Sequence, residues 1–229
     1  MLVCQEISFR YPGVETPLFN ALNVRIDAPG FHALFGPSGV GKTTLGKIIS
    51  GDMDATSGQV KIDGKLPCLY THNQERLPGW SPVGRHLEKT TPDGRHPLRE
   101  ELIQQFGLAT LMGMRYSQLS MGQCNRVNLL RYLLQDFSVL VMDESLANVD
   151  EPTRHRILYE IKTRFPEAGF LYISHNVVEV TRFCDQIIVF RGSNKSPQVR
   201  QVSGRNHRKD EPLNEQALDR SMLEIINAA

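Results

Sequence analysis

The sequence predicts an α/β fold with a mostly parallel sheet, an antiparallel β subdomain at the N-terminus and an inserted helical subdomain. Two observations carry this prediction. A glycine-rich loop joins a short apolar strand at 31–35 to a helix at 44–50, and Gly51 follows as a C-cap. Beyond it, apolar strands alternate with helices, and residues 139–142 form an unbroken apolar run, as expected for a central parallel strand covered on both faces.

The remaining elements follow from local patterns. Residues 1–26 alternate apolar and polar side chains and turn at Pro12-Gly13, which predicts β-structure. Several prolines followed by a helical stretch predict a helical subdomain at 75–115. The other predicted elements are strands at 60–64, 68–70, 170–173 and 186–190, helices at about 122–135, 152–165 and 176–183, a polar loop at 193–211 and a helix from about 212. We therefore predict a single domain with an α/β core (1–74 and 116–211), a helical subdomain (75–115) and a C-terminal helix (212–229).

Composition is that of a soluble globular protein. Of 229 residues, 40% are hydrophobic and 22% charged, and the net charge of +1 gives no argument for an acidic or nucleic-acid partner. The four cysteines form no C-x-x-C pair, so we expect reduced thiols and neither a zinc site nor a disulfide framework. No apolar run approaches the roughly 18 residues that a membrane span needs. The N-terminus lacks the pattern of a signal peptide.

The glycine-rich loop carries the first functional signal. Its sequence, Gly36-Pro37-Ser38-Gly39-Val40-Gly41-Lys42-Thr43-Thr44, fits the phosphate-binding pattern G-x-x-x-x-G-K-[ST]. The glycines let backbone N–H groups converge on phosphate oxygens, and the start of the following helix adds partial positive charge. Lys42 can reach the β- and γ-phosphates, and the Thr43 hydroxyl can bind Mg²⁺. We therefore predict a P-loop NTPase core. The predicted nucleotide-binding residues of this loop are Gly36, Ser38, Gly39, Gly41, Lys42, Thr43 and Thr44.

Two acidic residues follow the apolar run at 139–142. Asp143 lies where an aspartate can help to hold Mg²⁺, through water, beside a phosphate loop. Glu144, the next residue, can polarise an attacking water molecule. The pair predicts hydrolysis of the bound nucleotide.

The segment Leu119-Ser120-Met121-Gly122-Gln123, with Arg126 and a buried helix after it, resembles the signature sequence of ABC ATPases. The resemblance extends from Tyr11 to about Arg191, with further matches in the family's order. Tyr11 lies where the family has an adenine-stacking aromatic residue, Gln74 where it has a glutamine linking core and helical subdomain, and His175 where it has a switch histidine. Residues 147–150 resemble the loop after the catalytic glutamate.

This resemblance implies that two ATP molecules are buried between two subunits arranged head to tail. One subunit would supply Lys42, Thr43, Asp143 and Glu144, and the other would present Ser120, Gly122 and Gln123 at the start of a helix. Glu144 would be the general base. His175 would contact the γ-phosphate, and Gln74 would contact Mg²⁺ or water.

The sequence departs from the family pattern at three positions. Met121 replaces a glycine, Ser145 replaces a proline, and Cys124 replaces a polar or basic residue. These changes indicate a divergent or slower site. They do not indicate an inactive one, because Lys42, Asp143, Glu144 and His175 are present.

The resemblance further implies the energy-coupling ATPase of a membrane transporter, in the form of a separate subunit typical of bacterial importers. We expect a homodimer or a paired ATPase subunit, peripheral on the cytoplasmic face of the inner membrane. The expected partners are transmembrane permease subunits and, through the complex, a substrate-binding protein, with no nucleic acid. The segment Leu77-Pro78-Gly79-Trp80 is similar to an L-P-W segment of some importer subunits, so Trp80 is either a permease contact or a core residue.

Two alternatives remain. The first is a soluble ABC ATPase acting on nucleic acid or ribosomes; the chain lacks the long heptad insertion and the tandem motif set of such proteins. The second is a nucleotide kinase or GTPase. Against it, residues 194–197 lack the aspartate of a guanine-reading motif, and residues 119–123 would be unexplained.

Overall fold

The structure is a computed structural model that describes residues 2–73, 75, 77, 79–192 and 194–229. It contains two compact units. The first comprises Met1–Tyr70, Ser138–Asp143 and Pro166–Ala229, and the second comprises Thr71–Phe137 and Glu144–Phe165. The predicted helical insertion at 75–115 lies within the second unit, which also contains the helices on either side of the 144–150 segment.

The strands are β1 (Leu2–Phe9), β2 (Phe19–Ile26), β3 (Gly30–Phe35), β4 (Ser57–Ile62), β5 (Cys68–His72), β6 (Val139–Asp143), β7 (Gly169–Ile173), β8 (Gln186–Phe190) and β9 (Val199–Ser203). The α-helices are α1 (Lys42–Ser50), α2 (Val83–Thr90), α3 (His96–Gln105), α4 (Met121–Leu133), α5 (Glu151–Arg164), α6 (Val177–Phe183) and α7 (Glu215–Ala228). Short 3-10 turns lie at Ala109–Leu111 and Tyr116–Gln118.

Two sheets organise the first unit. The smaller one is antiparallel, with the order β2-β1-β4. The larger one has the order β5-β6-β7-β3-β8-β9, in which β6, β7, β3 and β8 are parallel and β9 is antiparallel. The predicted fold class, with a mostly parallel sheet and N-terminal antiparallel β-structure, is confirmed.

The strand β9 contradicts the predicted polar loop at 193–211. It pairs antiparallel with β8, from Gln186↔Ser203 to Phe190↔Val199. Its polar side chains Arg200 and Gln201 are exposed. An edge strand of this kind takes its stability from backbone hydrogen bonds to its neighbour, and so its sequence carries little hydrophobic pattern.

The apolar core of the first unit lies between the two sheets and around α1. Phe9, Phe19 and Leu22 of the small sheet belong to the same buried cluster as Leu45 of α1 and Phe190 of β8. A Cβ at Gly46 of α1 would lie 3.1 Å from Val141 and 3.3 Å from Ile173. The missing side chain therefore lets α1 pack closely on the central strands, which fixes the helix relative to the end of β3.

The second unit is helical. Leu102 of α3, Leu129 and Leu130 of α4, and Ile157 and Leu158 of α5 are buried. Polar contacts add to this packing, since Arg126 donates to the Phe106 carbonyl oxygen at 2.6 Å and Gln135 donates to that of Thr90 at 3.0 Å. Across the part of the chain that the structure describes, none of the helices could span a bilayer.

Candidate active site

The parallel sheet brings the predicted site residues of the first unit to one edge. Ile173 of β7 is in register with Leu34 of β3 and, on its other side, with Asp143 of β6. The carboxyl ends of three adjacent strands are therefore aligned. The phosphate loop follows β3, Asp143 ends β6, and His175 lies two residues beyond the end of β7. In open α/β sheets, ligands bind at this edge.

The phosphate loop ends at Gly41, which is the N-cap of α1 with φ of 108°. A Cβ at this position would lie 2.6 Å from the ring of the buried Phe19. Both the left-handed backbone and the close ring require glycine. The helix begins at Lys42, so the N-terminus of α1 lies directly against the loop.

Lys42 folds back over the loop that precedes it. Its side chain is buried, and its Nζ donates to the carbonyl oxygens of Gly36 at 2.8 Å and Pro37 at 2.7 Å. Thr43, Ser38 and Gly39 are exposed, whereas Thr44 is buried. The Oγ1 of Thr44 lies 2.6 Å from the hydroxyl of Tyr11, so this predicted adenine-stacking residue is connected to the first turn of α1.

Asp143 is only 7% exposed, and its Oδ2 accepts a hydrogen bond of 2.6 Å from the Tyr70 hydroxyl. Sequence analysis missed Tyr70. Its partner is 73 positions away along the chain, and only the strand order places β5 beside β6.

Two oxygen donors of the first unit, on Thr43 and Asp143, are of the kind that Mg²⁺ binds. Within the described ranges, no cluster of three or more His, Cys, Asp or Glu side chains could hold a metal ion. Mg²⁺ is commonly bound by one or two carboxylates together with substrate phosphates and water. The buried carboxylate of Asp143 and the exposed hydroxyl of Thr43 are oxygen ligands of the required kind.

His175 is exposed at the carboxyl end of β7, directly after the buried Ser174. The Ser174 hydroxyl accepts a hydrogen bond from the backbone N–H of Asn176 at 3.2 Å, and Asn176 caps α6. This turn holds the backbone on both sides of His175 while its side chain remains accessible to a ligand.

The second unit contains the predicted signature residues at the start of α4. Ser120 is the N-cap, and its hydroxyl accepts from the Gln123 N–H at 3.3 Å. The Gln123 side chain accepts from the Ser120 N–H at 2.8 Å, which completes a capping box. Met121 is 62% exposed beside it. The Gln123 side chain thus makes its hydrogen bond within its own helix.

Gly122 is buried where the segment 147–150 passes close to α4. A Cβ on Gly122 would collide with the carbonyl oxygen of Asn148. Asn125 of α4 donates to the Ala147 carbonyl oxygen at 2.6 Å, which ties the segment to the helix. Asp150 then caps α5, and the side-chain hydrogen bond from Thr153 lowers the pKa of its carboxyl group.

Glu144 begins this segment with an unusual backbone, a φ of 49°. Its Oε2 accepts a hydrogen bond of 3.1 Å from the side-chain amide of Asn73. The neighbouring Ser145 donates to the Thr71 carbonyl oxygen at 3.0 Å, so a hydroxyl holds the turn at the position where the family pattern has a proline. Sequence analysis missed Asn73, and the predicted Gln74 lies outside the described residues.

Trp80 is 81% exposed, so the interpretation of Trp80 as a core residue is wrong. It remains a candidate for contact with another molecule.

Comparison with known proteins gives a consistent result. The family described as ABC transporter matches residues 19–147, which is more than half of the chain. The molybdenum import ATP-binding protein ModC of Brucella abortus is 32% identical over 180 residues, covering 70% of this chain and 50% of that protein. The taurine import ATP-binding protein TauB of Pseudomonas fluorescens is 29% identical over 205 residues, covering 82% of this chain and 77% of that protein. The chain spans about half the length of the molybdenum relatives from Brucella.

Solved structures agree on the fold. A dimeric, post-hydrolysis ATP-binding cassette with ADP and phosphate has a TM-score of 0.75 at 20% identity, covering 89% of this chain and 98% of that one. A bacterial Atm1-family ABC exporter with ATP bound has a TM-score of 0.77 at 17% identity, covering 99% of this chain and 41% of that one. With the family match over residues 19–147, the loop at 36–44 and the strand-end carboxylates, the chain belongs to the ABC transporter family.

Proposed function

We propose that this protein is the ATP-binding and ATP-hydrolysing subunit of an ABC importer, and that it drives transport by ATP-dependent closure of a dimer. One observation carries the proposal. The phosphate loop, Asp143 and His175 lie at the same carboxyl edge of the parallel sheet, in aligned register. Relatives that are named as import ATP-binding proteins support the direction of transport.

The first unit would bind the nucleoside triphosphate. The N–H groups of the loop and the N-terminus of α1 are suited to the phosphate oxygens, and Lys42 would exchange its two carbonyl partners for phosphate. Thr43 and Asp143 would hold Mg²⁺, together with Gln74. The bound ion would neutralise charge on the phosphates.

Glu144 would accept a proton from the attacking water, and His175 would hold that water and the γ-phosphate in position. A second copy would present Ser120 and Gly122 to the same nucleotide, at the N-terminus of its α4. Since each copy completes the site of the other, ATP would hold the dimer closed and hydrolysis would release it.

We infer that transmembrane permease subunits, with a substrate-binding protein on their far side, are the partners of this dimer. The protein would then act as a peripheral subunit at the cytoplasmic face of the membrane. Exposed Trp80 is the candidate contact with the permease.

The decisive variant is Glu144→Gln. It keeps the size and one acceptor oxygen of the side chain but removes the base, so steady-state ATP hydrolysis should fall by a factor on the order of 10² to 10⁴. ATP should still bind, and light scattering after gel filtration should detect a dimer in Mg-ATP because the bridging nucleotide persists.

The control is Lys42→Ala, which removes the phosphate-binding cation and should abolish both nucleotide binding and dimer formation. Hydrolysis by Glu144→Gln at the parent rate would remove Glu144 from the role of base. An unchanged dissociation constant of Mg-ATP in Lys42→Ala would contradict the nucleotide site itself.

A further inference from the structure

A short segment of the second unit, residues 71–73, is bound to the start of the turn that contains Glu144. Two side-chain hydrogen bonds make this connection. The Asn73 amide donates to Glu144 Oε2 at 3.1 Å, and Ser145 donates to the Thr71 carbonyl oxygen at 3.0 Å. One bond therefore reaches the Glu144 carboxylate, and the other holds the backbone next to it.

Thr71 of this segment and the nearby Glu75 are anchored by α4. Asn128 donates to Thr71 Oγ1 at 3.2 Å and to Glu75 Oε2 at 2.9 Å. Arg131 and the Tyr132 hydroxyl also donate to Glu75, at 3.1 Å and 2.9 Å. Asn128 is buried, and a buried amide with satisfied hydrogen bonds fixes its neighbours. Thr71 and Glu75 are thus tied to α4, the helix that Ser120 caps.

The backbone of Glu144 adds a reason for such an anchor. With φ at 49°, Glu144 adopts a conformation that non-glycine residues rarely occupy. A glutamate side chain also loses substantial rotamer entropy when it is fixed, so its carboxylate needs a partner to remain in one orientation.

We propose that Asn73 is the positioning residue for the Glu144 carboxylate. This proposal rests on the proposed function, in which Glu144 is the general base. A neutral amide suits the task. It donates to a carboxylate, which has two oxygens and about four lone-pair sites, and so leaves acceptor capacity for the attacking water. A lysine or arginine in its place would pair with the charge that the base requires.

The test compares Asn73→Ala with Asn73→Gln. Asn73→Ala should lower kcat for ATP hydrolysis on the order of tenfold, because a carboxylate that samples several orientations seldom meets water correctly. The KM for ATP and the thermal midpoint should remain near the parent values. Asn73→Gln keeps the amide donor and should recover part of kcat, which a merely structural role for Asn73 would not produce.

A double-mutant cycle separates action through Glu144 from other roles. In the Glu144→Gln background, single-turnover hydrolysis should show no further loss when Asn73→Ala is added. Asn227→Ala, which removes an exposed amide of α7, is the matched control and should leave kcat unchanged.

Parent kcat in Asn73→Ala would overturn the assignment, as would a loss of kcat in that variant that is undiminished in the Glu144→Gln background. If Gln74→Ala lost kcat while Asn73→Ala did not, the role would pass to Gln74. A parent chain that binds and hydrolyses no ATP would contradict the proposed function itself, and Asn73 with it. The two failures are therefore distinguishable.

Discussion

At the scale of single residues, Tyr11 makes two contacts within the fold and leaves part of its ring exposed. Its hydroxyl lies 2.6 Å from Thr44 Oγ1, and its ring packs edge-to-face on Phe9 with centroids 4.9 Å apart. The residue is nevertheless 42% exposed, so part of the ring is accessible to an adenine base. The hydroxyl contact and the ring surface can be removed separately.

We expect Tyr11→Ala to weaken ATP binding about tenfold or more, since base–aromatic stacking contributes roughly 1–3 kcal/mol and about 1.4 kcal/mol is a factor of ten. Tyr11→Phe keeps the ring and loses only the bond to Thr44, so its affinity should stay near that of the parent. Isothermal titration with Mg-ATP measures both variants.

Inorganic tripolyphosphate provides the control for this titration because it has phosphates and no base. Both Tyr11 variants should bind it like the parent chain. If Tyr11→Ala binds ATP with parent affinity, the ring does not stack on adenine and Tyr11 only supports α1.

The site residues that the sequence predicts are those with a local signal. Lys42 and Thr43 belong to a contiguous pattern, and Asp143 directly follows an apolar strand. Tyr70 and Asn73 have no such signal. Their partners lie 73 and 71 positions away, and the pairs meet only because of the tertiary fold. The roles predicted for all these site residues, Gln74 and Gln123 included, remain predictions.

At the scale of elements, the start of α4 places two requirements on a single residue, Ser120. Ser120 caps the helix within the capping box, and the proposed mechanism also requires it to face the nucleotide of a second copy. A residue at the N-cap stabilises a helix by accepting a hydrogen bond from the first turn, and serine and aspartate do this equally well. Helix stability alone therefore favours either residue at position 120. Only the second requirement distinguishes the two.

Ser120→Asp should therefore keep thermal stability and lose ATP-driven dimer formation, because a carboxylate at this position would repel the phosphates. Ser120→Ala should instead lose about 1 kcal/mol of unfolding free energy, as expected for a lost N-cap. Urea denaturation and light scattering in ATP measure the two effects. The matched control is Asn214→Asp at the N-cap of α7, which should leave dimer formation unchanged. An ATP-dependent dimer of Ser120→Asp would exclude Ser120 from the nucleotide interface.

Elements differ in how well the sequence predicts them. The central strand β6 is buried along its whole length and has a continuous apolar sequence, so the sequence predicts it to within one residue. The edge strand β9 has exposed polar side chains, for which the sequence pattern predicts a loop. A hydrophobic pattern indicates which residues of an element are buried. An edge strand is stabilised mainly by backbone pairing with its neighbour, which the sequence of the strand does not reveal.

At the scale of the whole molecule, the proposed mechanism has a consequence for mixtures of variants. If each site joins the phosphate loop of one copy to Ser120 of another, a copy with a defective loop still has an intact signature. Lys42→Ala and Ser120→Asp therefore damage different halves of a site. A heterodimer of the two contains one fully intact site and one doubly defective site.

Mixing Lys42→Ala with Ser120→Asp should restore ATP hydrolysis to a fraction of the parent rate, with a maximum near equal amounts, although each variant alone is inactive. The reason is that the Ser120→Asp copy supplies Lys42 and Glu144 while the Lys42→Ala copy supplies Ser120. Phosphate release, measured across mixing ratios, tests this.

Lys42→Ala mixed with Glu144→Gln is the control and should stay inactive, since no intact base then shares a site with an intact loop. If the hydrolysis rate of the first mixture equals the sum of the rates of its two separate variants, each site is built within one copy and the head-to-tail dimer is wrong.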